Sequence, residues 1–181
     1  GKLSVDVDTY DSLVLVAGGI GITPMASLAG YIATYKALGR FKKLSRLRIV
    51  WITKYNSELA VFNDVLGRTY ALNSDDANGI TVNLELFATR DEVDVETVYV
   101  NLPALTDGRE TSRPVNDHEP PSMWAAKTGR PNLADLLTKA KQEEGTLNTA
   151  ILACGPTGLV DTCRNVAIGL KCDFHAETFF M

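Results

Sequence analysis

Cysteine and histidine are scarce in this chain, and neither is arranged for metal or disulfide chemistry. The 181 residues hold Cys154, Cys163 and Cys172, with His118 and His175 as the two histidines. An odd number of cysteines without a C-x-x-C pair argues against a disulfide framework and a zinc site, and suits a reducing compartment. The histidines stand in unrelated contexts, so no metal site is expected. Basic charge is also in deficit. A formal net charge of -4 and a pI near 5.2 argue against nucleic acid as a general partner. No Ser-His-Asp constellation or carboxylate pair is evident, which removes the usual hydrolytic chemistries. An unbroken membrane span is missing too. Ser12 to Tyr35 carries no charge and is long enough to cross a bilayer, but Gly18, Gly19, Gly21, Thr23 and Pro24 interrupt its middle, where an apolar helix tolerates them poorly. No cleavable leader precedes it. The chain opens a few residues before a core strand, as an excerpt of a longer protein would.

What is present is a strand that runs into a glycine turn. Leu13-Val14-Leu15-Val16 is followed by Ala17-Gly18-Gly19-Ile20-Gly21-Ile22-Thr23-Pro24. Glycines allow a tight turn and a close approach to a ligand. Thr23 is placed to cap the following helix, and Pro24 suits its first turn. A helix start of this kind favours a phosphate. The plainer alternative is a turn that glycine merely makes possible. The sequence departs from the G-x-G-x-x-G dinucleotide fingerprint.

The rest of the chain alternates strands with helices. Strands are expected at Leu13–Ala17, Leu47–Thr53, Ile80–Thr89, Thr149–Cys154 and Asp173–Phe179, and helices at Pro24–Lys36, Glu58–Leu66, from Asn132, and after Pro156. Asn132 is the cap of the third helix, with Leu133, Leu136, Leu137 and Ala140 inward. This pattern predicts an α/β fold with an open, doubly wound, five-stranded parallel sheet in the order 3-2-1-4-5. Glycine turns after strands one and four then flank the switch point, where open α/β sheets bind ligands. The chain is one domain, 1–181, interrupted by a long polar stretch at 91–130. That stretch contains Pro103, Pro114, Pro120 and Pro121, more acids than bases, and a possible short strand at Val98-Tyr99-Val100. Structureless stretches of this length are functional or disordered.

Four further features bear on chemistry. Lys54, after Trp51-Ile52-Thr53, stands where an NAD enzyme places an acid; a cation there suits a 2'-phosphate, and a solvated lysine is the alternative. Arg130, in Gly129-Arg130-Pro131-Asn132, is able to grip a phosphate with its guanidinium fork, or is simply exposed at a helix start, where a cation is mildly unfavourable. Cys154, before Gly155-Pro156, reads as a small buried hydrophobe; no base accompanies it to make a nucleophile. Phe174-His175-Ala176-Glu177-Thr178-Phe179 joins a carboxylate to aromatics, or is a final strand with alternating burial.

Taken together and in order, GGIGITP (18–24), WITK (51–54), GRPN (129–132), CGPTGL (154–159) and FHAETF (174–179) resemble the NADPH-binding lobe of the ferredoxin-NADP reductase superfamily. Within it the sequence resembles the dehydrogenase domain of NADPH oxidases and ferric reductases. The resemblance implies that Gly19, Gly21, Ile22, Thr23 and Pro24 cradle the pyrophosphate and ribose. It implies that Lys54 and Arg130 meet the 2'-phosphate, and that Cys154, Gly155 and Pro156 line the nicotinamide side. Glu177 is then near the carboxamide, and Phe179 stacks on the flavin and moves aside for nicotinamide. Phe180 and Met181 extend past that aromatic. The implied activity is hydride transfer from NADPH to FAD, then through haem to oxygen, with superoxide production favoured by the FHAETF ending over ferric-chelate reduction. The flavin-binding barrel and the transmembrane haem domain of such a multi-pass flavocytochrome lie outside this chain, which would work at the cytosolic face of a membrane and do little alone. A soluble flavin reductase is a further alternative. A regulatory nucleotide-binding module or an interaction module is the non-enzymatic one, with a regulatory protein at the 91–130 loop as a candidate partner.

Overall fold

The computed structural model describes residues 5–73, 79–90 and 126–177. Within them, β1 (Ser12–Gly18), β2 (Arg46–Thr53), β3 (Thr81–Ala88), β4 (Lys127–Thr128), β5 (Thr149–Cys154) and β6 (Asp173–Glu177) form one sheet in the order β4-β3-β2-β1-β5-β6. Every neighbouring pair is parallel. The helices are α1 (Ile22–Ala37), α2 (Asn63–Tyr70), α3 (Leu133–Glu144) and α4 (Thr157–Gly169).

The core explains the strand sequences. β1 and β5 are buried at every position, as expected of central parallel strands with helices on both faces. Successive side chains alternate between those faces. Leu13, Leu15, Leu47, Ile49, Trp51, Ala150 and Leu152 pack with Met25, Ala29 and Ile32 of α1 and Leu66 of α2. Val14, Val16, Val50, Ile151 and Ala153 pack on the other side with Leu137 of α3 and Val160, Cys163 and Ala167 of α4.

The doubly wound order 3-2-1-4-5 holds for the five long strands. The strand count is corrected from five to six by β4, which pairs with Phe87 and Ala88 at the edge beyond β3. It consists of two residues, and its side chains are exposed, so no hydrophobic pattern marks it. Asn132 caps α3 as read, its side chain accepting from the Asp135 N–H at 3.3 Å. Thr23 does not cap α1. A 3-10 turn at Gly19–Gly21 continues directly into the helix, Gly21 takes the cap position with φ -59 and ψ -8, and no side chain caps the end. With the backbone already helical at Gly21, the extended residue that a threonine cap needs is lacking. The helix expected at Glu58–Leu66 is divided into a 3-10 segment, Asn56–Phe62, and α2. Ser12 to Tyr35 is thus β1, a turn and most of α1, and among the described residues no helix is long and apolar enough to cross a membrane. Val98-Tyr99-Val100 and most of the 91–130 stretch lie outside the described residues.

Candidate functional site

The carboxyl ends of the strands share one rim, and the glycine turns meet there. A Cβ on Gly21 would lie 2.2 Å from the Cys154 carbonyl oxygen and 3.0 Å from the Gly155 nitrogen. A Cβ on Gly155 would lie 3.0 Å from the Gly18 backbone, and one on Gly18 only 2.8 Å from Pro156. Gly21 and Gly155 therefore lack side chains because two stretches of backbone touch, and Gly18 because the Pro156 ring and the Leu159 side chain fill the space. Gly19 is different. Its φ is +53, and nothing lies within 4 Å of where its Cβ would be. A left-handed glycine facing open space at a helix start leaves room for a ligand to approach the backbone.

The turn is held from behind by a residue whose role the sequence did not disclose. Trp51, buried in β2, donates from Nε1 to the Gly19 carbonyl at 3.1 Å, and its ring meets Phe62 edge-on at 5.6 Å. The side chain of Ile22 is buried in the core, so only its backbone is offered to the rim, and its N–H already bonds back to Gly19 and Ile20. Thr23 is exposed in the first turn, beside the half-buried Pro24.

Cations occupy one arm of the rim. Lys54 follows β2 and is exposed, its ammonium 5.3 Å from the centre of the Tyr55 ring. Arg130 follows β4 and is exposed. The Gly129 N–H donates to Ala88 at 2.7 Å, which fixes that segment to the end of β3. The carboxylate nearest to Lys54 in sequence, Glu58, accepts instead from the hydroxyl of buried Thr53.

The opposite arm carries Cys154 and Glu177. They are register partners on β5 and β6. Cys154 is fully buried, and burial together with the Glu177 carboxylate pushes its thiol above the ordinary range. It is a neutral packing group at physiological pH, in keeping with the absence of a nucleophile's base. Glu177 is half-buried and its Oε2 is buried without a hydrogen-bond partner among the described residues. A buried acceptor left unsatisfied is costly, and a ligand amide would satisfy it. Gly155 and the exposed Pro156 stand between this carboxylate and the Gly19 turn. The structure thus brings Gly19, Gly21, Thr23, Pro24, Cys154, Gly155, Pro156 and Glu177 to the middle and one end of the rim, and Lys54 and Arg130 to the other. Phe179 lies outside the described residues.

Comparison with known proteins identifies the family. The sequence model of the ferric reductase NAD binding domain matches residues 10–168, most of the chain. The chain belongs to that family. Among curated relatives, a probable metalloreductase of Debaryomyces hansenii is 27% identical over 97% of this chain and 35% of its own length. A probable ferric reduction oxidase 1 of Arabidopsis thaliana is 30% identical over 51% of this chain and 13% of its own. Ferric reduction oxidase 3, mitochondrial, also from Arabidopsis thaliana, is 24% identical over 68% of this chain and 17% of its own. The chain therefore spans about a third or less of the relatives it matches. The doubly wound parallel sheet expected of such a nicotinamide-binding lobe is the one observed.

Proposed function

We propose that this domain binds NADPH across the rim and presents the nicotinamide for hydride transfer to FAD within a larger membrane flavocytochrome. The observation that carries the reading is the joining of the two glycine turns. Gly19 faces open space on one side of that contact, and the unsatisfied Glu177 oxygen lies on the other. The Gly19 turn and the start of α1, with Gly21, Thr23 and Pro24, take the pyrophosphate. Lys54 and Arg130 hold the 2'-phosphate, where charge-assisted hydrogen bonds are strongest. Glu177 accepts from the carboxamide NH2, while Cys154, Gly155 and Pro156 give the ring a close, flat wall. When bound, the coenzyme supplies a hydride from its C4 to the flavin N5. The protein's own task is orientation, since a hydride passes without a protein acid or base. Phe179 is assigned as the aromatic that guards the flavin until nicotinamide arrives.

The FAD-binding barrel and the haem-bearing membrane domain belong to the parent protein in this reading, which puts the lobe at the cytosolic face of a membrane. For the final acceptor, the FHAETF ending favours oxygen and superoxide production, whereas relatives named as a metalloreductase and ferric reduction oxidases favour a ferric chelate. The acceptor is distinguished by assaying the full-length protein for superoxide and for ferrous iron. The lobe reading is tested on this chain by titration. NADP+ is expected to bind more tightly than NAD+, and Lys54→Gln and Arg130→Gln each to lose about tenfold for NADP+ alone. Equal affinity of the unaltered chain for both coenzymes would remove the 2'-phosphate assignment.

A further inference from the structure

We propose that Trp51 is a positioning residue of the diphosphate site: its indole N–H sets the direction in which the glycine turn presents its backbone to the coenzyme. The inference rests on the NADPH reading above and adds to it a residue that does not touch the ligand. β1 and β2 are paired so that Trp51 is the register partner of Ala17. Both belong to the core that packs under α1 and α2. From that place the buried ring reaches two residues along the chain from Ala17, to the Gly19 carbonyl at 3.1 Å. The Phe62 ring meets the indole edge-on at 5.6 Å and packs it in place.

A buried indole N–H needs a partner, but the partner it takes here did not need the indole. The Ile22 N–H donates to the same Gly19 oxygen, so both lone pairs of that carbonyl are used. One donor belongs to the start of α1 and the other to β2. The peptide group joining Gly19 to Ile20 is thereby held from two directions. That group is planar and trans, so its N–H lies opposite its carbonyl. Fixing the carbonyl therefore aims the Ile20 N–H away from both donors. The turn has little else to hold it. Gly19 has φ +53 with nothing within 4 Å of where its Cβ would be, and glycine passes readily between left- and right-handed backbone. The Ile20 side chain is 72% exposed and anchors nothing. A loose turn would have to be ordered as the ligand arrives, which weakens binding. With the clasp in place, an anionic oxygen meets a backbone donor already aimed, and such charge-assisted bonds are the strong ones.

The test separates the diphosphate from the rest of the coenzyme. Adenosine 5'-diphosphate and adenosine 2'-monophosphate, the second without a diphosphate, are titrated calorimetrically into the 181-residue chain at low salt. Trp51→Phe removes the donor but also shrinks a core ring. The sharper variant carries benzothienylalanine at position 51, where sulfur replaces the N–H and the ring shape is kept. Its reference is the Trp124→Phe chain, in which Trp51 is the remaining tryptophan of two. The benzothienyl chain is expected to bind adenosine 5'-diphosphate about three- to tenfold more weakly than its reference, and the 2'-monophosphate within about twofold. Trp51→Phe should lose at least as much for the diphosphate. Thermal melting of each variant checks that the fold is kept. A benzothienyl chain that binds the 5'-diphosphate as tightly as its reference overturns the inference and leaves the diphosphate reading standing. Equal loss for both probes also overturns it, since the indole would then be supporting the fold as a whole. A reference chain that does not bind the 5'-diphosphate removes the underlying reading and the inference with it.

Discussion

Replacing Gly21 with alanine tests whether the two glycine turns are in contact. The new methyl carbon would sit 2.2 Å from the Cys154 oxygen, 2.6 Å from its carbonyl carbon and 3.0 Å from the Gly155 nitrogen. The nearest atom is about 1 Å inside ordinary contact. All three atoms belong to a single peptide group, which cannot swing away freely because Gly155 is itself packed against the Gly18 backbone. Relief requires the turns to separate. Overpacking of this kind costs about 2–3 kcal/mol. Gly21 has a helical φ of -59, so alanine adds no backbone strain and recovers about 0.5 kcal/mol through the unfolded chain. The net loss of about 2 kcal/mol lowers Tm by about 4–8 °C for a domain of this size. Gly158 is the control. It lies in the first turn of α4 with nothing within 4 Å of its absent Cβ, so the same chemical change there should be neutral or stabilising by up to about 1 kcal/mol. Thermal melts by circular dichroism, paired with NADP+ titration, give both readouts. A Gly21→Ala protein that melts within about 1 °C of the parent would refute the contact and the crevice argued from it.

Two further perturbations probe the frame around the rim. Arg48 is buried on the α3 and α4 face of β2, where its guanidinium donates to Glu85 of β3 and to Glu143 of α3, the latter at 2.6 Å. Burial opposes its charge, but the hydrogen bonds to Glu143 and Glu85 outweigh that and raise its pKa. Arg48→Ala should cost about 3 kcal/mol in urea unfolding by stranding Glu85, and Arg48→Met with Glu85→Leu should recover most of it; a loss under about 1 kcal/mol for the single change contradicts this account. Tyr10 donates from its hydroxyl to Asp173 at 2.9 Å and meets His175 Nε2 at 3.2 Å. Burial first, then the Asp173 hydrogen bond and charge, push its pKa up to about 12. The folded state therefore holds this proton more tightly than the unfolded state, so its contribution is complete below pH 10 and is lost as pH rises towards 12. Urea unfolding across that range should show a downward slope that Tyr10→Phe reduces, and an unchanged slope in the variant excludes the assignment.

The fold was legible in the chain because its strongest signals are long and local. Thr149–Cys154 is apolar without alternation, and only a strand covered on both faces uses such a run. The glycine turn before α1 was visible for the same reason. Its cap was not, because Thr23 and Gly21 both stand near the helix start, and only the backbone angles show that the 3-10 turn makes Gly21 the cap. The second helix was misplaced because Leu59, Phe62 and Leu66 are spaced by three and then four, a pattern that a 3-10 turn followed by an α-helix satisfies as well as one continuous helix. β4 is two exposed residues, below the length at which periodicity means anything. For the proposed site, the motifs name candidate residues but not their order along the rim. The neighbourhood of Cys154 and Glu177 and the clasp from Trp51 to Gly19 both depend on contacts between strands distant in sequence.

That order has a consequence for how the proposed coenzyme lies. The exposed cations Lys54 and Arg130 follow β2 and β4, and the carboxylate of Glu177 ends β6. A dinucleotide with a phosphorylated ribose at one end and a neutral amide at the other meets opposite charges at opposite ends of the rim. Reversed, it would set its 2'-phosphate against Glu177 and leave Lys54 and Arg130 without that phosphate. The central contact between the glycine turns carries no charge and cannot choose a direction. In the proposed binding mode, orientation therefore comes from the flanks, and the strand order that places them is settled by the hydrophobic core beneath. The same parallel sheet that buries β1 and β5 on both faces gives the rim its polarity, so that a change in register at either edge strand would be felt as a loss of coenzyme direction before it was felt as a loss of fold.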